Sequence, residues 1–199
     1  MPRLLSQRQV QIEWTDIEAR QHRPIPITPR SNGIHLSGVL RYIAIKSGIL
    51  QVAVQEDRED EMPLRMALGM AWENWVVGLY PDMIWQPGEF ERDQVYGTPD
   101  GITLTGDTGN GVALEEFKCT WKSSRKPLLD QWMWMQQGSG YCNMLDTDRV
   151  TYNVLYVNGD YRDSGPQYIR SLVEFSSHDL RRNWDMVLGS RDAAGVVRE

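Results

Sequence analysis

Pro99-Asp100 and, sixteen residues later, Glu116-Phe117-Lys118 are the residues whose types and spacing point most directly to chemistry. Side chains alternate along a strand, so Glu116 and Lys118 share one face and Phe117 takes the other. A hairpin between the two segments brings Asp100 beside Glu116. Two converging carboxylates repel each other unless a cation sits between them. Oxygen donors of this kind suit Mg²⁺, or Mn²⁺ in its place, which keep several waters and also bind substrate phosphate. Lys118 is within reach to orient or deprotonate a water nucleophile and to offset charge in a transition state. Glu115 competes with Glu116, but its side chain faces away from Lys118, which selects Glu116. A third acid, Glu73, is the only charged residue between Met66 and Pro81 and stands among Trp72, Trp75, Val76 and Val77. Burying an unpaired carboxylate is costly. Glu73 is therefore expected to meet water or a cation, and a helix lying over the sheet aims it at the Asp100–Glu116 pair.

The elements that must position these residues follow from punctuation and periodicity. Pro63 opens a helix, LRMALGMAWENWVVGLY, that ends before Pro81, with Leu64, Leu68, Trp72, Trp75 and Leu79 as its predicted buried stripe. QPGEFERDQVYGTPDGITLTG is predicted to hold two strands, GDTGNG (106–111) is a hairpin turn, and VALEEFKCTW is the next strand. A basic connection, KSSRK, leads into a helix predicted from about Pro127 to Met144. RVTYNVLYV and PQYIRSLVEFS are two further strands, and Ser177 is expected to cap a C-terminal helix. Upstream, Leu36, Val39, Leu40 and Ile43 recur at helical spacing. The first thirty residues read as extended and Pro-punctuated, and EDREDE (56–61) as a solvated acidic run. The order is helix, three strands, helix, two strands, helix. This predicts an α/β fold with a mixed central sheet flanked by helices. Residues 1–60 form an N-terminal extension packed on a core of residues 61–199, one domain overall.

Composition narrows the function classes. The chain has 199 residues and a formal net charge of −6, with 41% hydrophobic and 10% aromatic residues. That is enough to fill a core and excludes collagen, coiled coil and wholesale disorder. The acidic balance argues against a general nucleic-acid coating protein, which is normally basic, but leaves room for an enzyme that meets DNA through a local basic patch. No apolar run approaches a membrane span, and MPRLLSQRQVQIEW has no signal-peptide core, so a cytoplasmic protein without a membrane partner is expected. Cys119 and Cys142 read as reduced core thiols, and two cysteines cannot hold an iron–sulfur cluster. His22, His35 and His178 are scattered, without ligand spacing.

The ordered set of a helical Glu73, Pro99-Asp100 and Glu116-Phe117-Lys118 resembles the PD-(D/E)XK nuclease superfamily. The next predicted helix carries Gln137-Gly-Ser-Gly-Tyr141, a QxxxY pattern similar to that of the RecB-like and lambda-exonuclease-like branch. Gln137 is preferred over Gln131 and Gln136 because it places Tyr141 one turn away on the same face. The resemblance spans Pro63 to Val173, and it departs from some members of the branch by carrying Trp72 where they have a helical His. It implies a restriction-endonuclease-like αβββαβ core and a divalent-metal-dependent DNA nuclease with Asp100, Glu116 and Lys118 as catalytic residues. Glu73, Asp100, Glu116 and the Phe117 backbone carbonyl would hold Mg²⁺, with Mn²⁺ as substitute. Gln137 and Tyr141 would contact the DNA backbone, and Lys122, Arg125 and Lys126 would neutralise phosphates at the cleft mouth. The branch leans towards an exonuclease acting at DNA ends in recombination, repair or phage DNA processing. A sequence- or structure-specific endonuclease and a non-catalytic DNA- or protein-binding module on the same scaffold are the alternatives. A homo-oligomer, or a recombination or replication protein, is the further partner class. Gly138 and Gly140 are expected to admit another backbone, such as a nucleic acid strand. Trp132 to Met135 are expected to divide between core packing and contact with a partner or base.

Overall fold

In the computed structural model, which describes residues 1–11, 31–50, 61–105, 111–162 and 165–196, the chain runs through strands and helices in this order: β1 (Arg3–Val10), β2 (Ile34–His35), α1 (Leu36–Lys46), α2 (Glu61–Val77), β3 (Met83–Trp85), β4 (Phe90–Arg92), β5 (Val95–Gly97), β6 (Gly101–Thr105), β7 (Gly111–Thr120), α3 (Trp132–Met144), β8 (Arg149–Tyr156), β9 (Gln167–Glu174) and α4 (Ser177–Val196). The main sheet has six strands in the order β1-β9-β8-β7-β6-β3, and a small sheet has the order β2-β5-β4. β7 and β8 pair in parallel while their outer neighbours pair antiparallel, so the central sheet is mixed. Setting aside β4 and β5, which belong to the small sheet, the main-sheet elements α2, β3, β6, β7, α3, β8 follow the expected αβββαβ order, with β3 lying before the segment predicted to hold strands. Among the described residues no helix is long and apolar enough to cross a membrane. The run EDREDE up to Asp60, the predicted turn from Gly106 to Asn110 and the proline-rich stretch 20–30 lie outside the described residues.

Both faces of the sheet are covered, as a parallel central pair requires. On one face α1, α3 and α4 enclose Leu36, Val39, Leu40, Ile43, Met135, Trp184 and Val187, which pack with Leu114, Val150, Tyr152 and Val154 of the sheet. The four apolar positions predicted on α1 are all buried. On the other face Trp72, Val76 and Val77 of α2 pack on Phe117 and Tyr168. Of the predicted stripe of α2, Trp72 is buried and Trp75 and Leu79 pack partly buried against the same cluster, while the Leu64 side chain lies outside the described residues. Leu68 is 40% exposed, because the sheet meets the helix from Trp72 onward.

Three local expectations change. Where two strands are expected between residues 86 and 106, there are three short ones, β4, β5 and β6. Asp93 and Gln94 both take positive φ (51° and 63°), the pair a tight hairpin between β4 and β5 requires, without the glycine that advertises such a turn. Pro127 does not open α3. It precedes a 3-10 turn, Leu128–Asp130, and the helix starts at Trp132 after Gln131 leaves helical geometry at ψ 78°. Ser176, not Ser177, caps α4. Its Oγ accepts the Asp179 N–H at 3.1 Å, covering one helix-start donor, and donates to the Asp179 carboxylate at 2.7 Å.

Candidate active site

The site lies where β6 leaves β7. The β6–β7 ladder ends at the Gly101–Glu115 pair, while β7 runs on to Thr120 with β8 alongside it. Asp100 stands at this fork. Its Oδ2 accepts the Phe117 backbone N–H at 2.8 Å, taking over from the ladder. The N–H and C=O of one strand residue leave the strand on the same edge, so the Phe117 carbonyl opens towards the fork as well. Glu116 and Lys118 project together from the opposite side of Phe117, as alternation predicts. Lys118 Nζ donates to Glu116 Oε2 at 2.6 Å and stands 4.0 Å from Asp100 Oδ2. From α3, Gln137 Oε1 accepts from Lys118 at 3.3 Å, and Gln137 Nε2 donates to the Tyr141 hydroxyl at 3.1 Å. The Gln137–Tyr141 pair is thus joined to the two acids through the lysine. Tyr141 itself is buried and lies over Gly97, where a Cβ would come within 2.8 Å of its ring.

Glu73 reaches this cluster from α2. Its Oε1 accepts the Trp85 indole N–H at 2.7 Å, and the Gln86 amide donates to the same oxygen at 3.4 Å. Gln86 has φ 47° and donates its backbone N–H to the Asp100 carbonyl at 2.9 Å. A non-glycine residue in the left-handed region costs of order 1–3 kcal/mol and is held by its surroundings. Here the turn after β3 ties Glu73 and Asp100 together.

Burial raises the pKa of Glu73, the Asp100 charge adds to this, and Trp85, Gln86 and Lys118 work against it. Glu116 is fully buried. Burial pushes its carboxyl up to about 8 against the pull of Lys118, with Asp100 and Glu73 adding to the rise. Burial alone would lower Lys118, yet Glu116, Asp100 and Glu73 together hold it above its ordinary value. Glu116 Oε1 is buried and has no hydrogen-bond partner, which is expensive for a carboxylate and leaves a hard oxygen donor unused. This donor chemistry fits a divalent cation. The three carboxylates surround the fork without closing on one point. Among the described residues no three His, Cys, Asp or Glu side chains do so, and the Lys118 ammonium lies between Glu116 and Asp100.

The basic segment after β7 does not join the acids. Lys122 donates to Gln131 Oε1 at 2.9 Å and lies 5.5 Å from the Trp134 ring centroid. Burial, with Lys126 nearby, lowers its pKa. Arg125 faces Asp160 in the β8–β9 connection at 3.8 Å. Lys126 is exposed. All three lie beyond Thr120, on the stretch that leads from β7 towards the start of α3. Gly138 and Gly140 do not admit a second backbone from outside. A Cβ on Gly138 would overlap the Tyr152 hydroxyl and one on Gly140 would meet Leu36, so both glycines let α3 settle onto the sheet and α1. Met135 is buried, and Trp132, Met133 and Trp134 are partly buried against the core.

Sequence reasoning missed the donors to Glu73 and the role of Glu115. Glu115 faces away from the fork and is held by Arg170 at 2.7 Å, Thr103 at 2.8 Å and Asn153 at 2.7 Å. The signal was present as Asn153 and Arg170, polar residues in the middle of β8 and β9. Cys119 and Cys142 are free thiols.

No protein-family model matches the chain, and no curated protein does. Among solved structures the chain is similar to a phage-related exonuclease from Haemophilus somnus 129PT, at 11% identity over 81% of this chain and 81% of that one, with a TM-score of 0.47. It is also similar to LHK-Exo, solved with dAMP, at 17% identity over 83% of this chain and 90% of that one, with a TM-score of 0.48. At these values neither likeness carries the chemistry over, which rests on the side chains of this chain.

Proposed function

We propose that this chain is a divalent-cation-dependent nuclease of the PD-(D/E)XK type that hydrolyses DNA phosphodiester bonds, as an exonuclease acting at DNA ends. One observation carries the reading. A fully buried Glu116 keeps one oxygen unpartnered, while its other oxygen is shared with a lysine that also reaches towards Asp100 and Gln137. A structural ion pair has no use for a second acid and a spare buried oxygen.

In this reading Glu116, Asp100, Glu73 and the Phe117 carbonyl would hold Mg²⁺ or Mn²⁺. The cation would polarise the phosphate and lower the pKa of bound water. Lys118 is placed by Glu116 and Gln137 to orient the attacking water and to offset developing charge. Gln137 fixes the lysine and would border the path of the strand, while the buried Tyr141 holds Gln137 from beneath. Lys122, Arg125 and Lys126 supply cations for phosphates further along, so binding falls with added salt.

The test is digestion of linear and closed circular DNA with Mg²⁺ or EDTA, wild type beside Asp100→Ala. Loss of linear DNA only, dependent on Mg²⁺ and on Asp100, is the expected result. Cutting of the circle would make the enzyme an endonuclease. No degradation with any divalent metal would leave a non-catalytic DNA-binding protein.

A further inference from the structure

Behind the acid cluster, on the α2 side of the sheet, a closed circuit of buried and part-buried polar groups joins four strands to the segment after α2. Glu115 accepts from Asn153 at 2.7 Å, and the Asn153 carbonyl oxygen accepts the Tyr168 hydroxyl at 2.7 Å. The Tyr168 and Tyr80 hydroxyls are 2.9 Å apart, and the Arg170 guanidinium lies 4.2 Å from the Tyr80 ring centroid. Arg170 closes the circuit on Glu115 at 2.7 Å, with Thr103 of β6 bound to the same carboxylate. Every strand of the fork is thereby held from behind, and Tyr80 brings in the end of α2.

Tyr168 is the hub. Its ring meets Trp72 edge-on at 4.8 Å between centroids, and Trp72 precedes Glu73. The same apolar cluster contains Phe117, which follows Glu116. The immediate neighbours of two acids, one on a helix and one on a strand, therefore belong to the same apolar cluster as this tyrosine. The hydroxyl of that tyrosine is fixed by Asn153 and Tyr80. Apolar packing alone would let α2 slide by a fraction of an ångström along its groove, whereas the directional Tyr80–Tyr168 hydrogen bond pins the far end of the Trp72–Tyr80 stretch and the edge-on ring contact seats Trp72 on the same tyrosine.

We propose that Tyr168 and Tyr80 are positioning residues that set the distance of Glu73 from Asp100 and Glu116, and through it the affinity for a divalent cation. This rests on the metal-dependent reading of the preceding section. Groups that orient metal ligands without touching the metal are typically worth about 10–100-fold in metal affinity.

The test is a Mn²⁺ titration of the metal-free protein by calorimetry, with melting of the metal-free forms alongside. Wild type, Glu73→Gln, Tyr168→Phe, Tyr80→Phe and the Tyr168→Phe/Glu73→Gln double variant are compared. Tyr168→Phe keeps the ring against Trp72, and Tyr80→Phe keeps the ring under Arg170, so each removes a hydroxyl alone. Each tyrosine variant is expected to bind Mn²⁺ about tenfold more weakly than wild type. In the Glu73→Gln background, Tyr168→Phe is expected to weaken binding no further. A general loosening of the fold would weaken binding equally in both backgrounds, and that result overturns the proposal. So does wild-type affinity in both tyrosine variants, while Glu73→Gln weakens binding. If wild type binds no Mn²⁺, the metal-dependent reading itself falls, a distinct outcome from failure of the tyrosines alone.

Discussion

Lys118 shares a proton-bearing contact of 2.6 Å with one oxygen of Glu116, while the other oxygen of that fully buried carboxyl is left without a partner. The pair is neither a comfortable ion pair nor an ordinary core contact, and its behaviour under titration separates these possibilities.

Burial raises Glu116 from an ordinary 4.5 to about 8 in the folded chain. Between those values the folded state binds a proton that the unfolded state has released. Stability of the metal-free protein is therefore greatest at the acid end of this window and is lost as pH rises to about 8. Melting in EDTA from pH 5 to 8.5 is expected to show a falling midpoint in wild type and a flatter profile in Glu116→Gln. A wild-type profile as flat as that of Glu116→Gln would show that the carboxyl is ionised throughout.

Removing the lysine tests what offsets the acids. Breaking a buried charge pair from one side costs roughly 3–5 kcal/mol, so Lys118→Met is expected to lower the metal-free melting temperature by several degrees and to abolish DNA cleavage. If the ammonium and a cation neutralise the same carboxylates, millimolar Mn²⁺ raises the midpoint of the variant more than that of wild type. An equal rise in both would place the metal elsewhere.

Tyr141→Phe removes the hydroxyl that holds Gln137 and leaves the ring packed over Gly97. One hydrogen bond of about 1 kcal/mol corresponds to a five- to tenfold loss of kcat/KM on linear DNA. The melting temperature is expected to stay within a few degrees. A large drop in stability with unchanged turnover would make Tyr141 a core residue alone.

Much of this site could be read before the fold was known, because strand alternation is strict. Glu116 and Lys118 had to share a face, Glu115 had to leave it, and a hairpin had to bring Asp100 alongside. Glu73 was marked by being the only charge between Met66 and Pro81. What could not be read was anything fixed by tertiary approach. Trp85 and Gln86 donate to Glu73 from a turn whose left-handed Gln86 has no sequence signature. The exposure of Leu68 follows from how far the sheet extends under α2, which periodicity does not encode. The glycines of α3 mark close approach, but their partners are Tyr152 of the sheet and Leu36 of α1 rather than a nucleic acid strand.

That last point is open to measurement. Gly138→Ala forces a methyl against the Tyr152 hydroxyl, which otherwise donates to the Trp134 carbonyl at 2.8 Å. Overpacking of this kind costs about 1–3 kcal/mol, so a drop of several degrees in the melting temperature is expected, with DNA affinity unchanged in the folded protein. Weakened DNA binding at full stability would instead put the glycine on the substrate path.

The pairing of β1 with β9 has a consequence for how the molecule is made. Arg3 meets Glu174 across a sequence separation of 171 residues, so the outer border of the sheet cannot assemble until almost all of the described chain is present. The leading strand stays unpaired until β9 has formed. Contacts of such long range slow folding and leave a bare border open to wrong neighbours in the meantime. The serine, glutamines and two arginines of β1 give that waiting strand a polar, cationic character, which discourages it from sticking to another copy of itself.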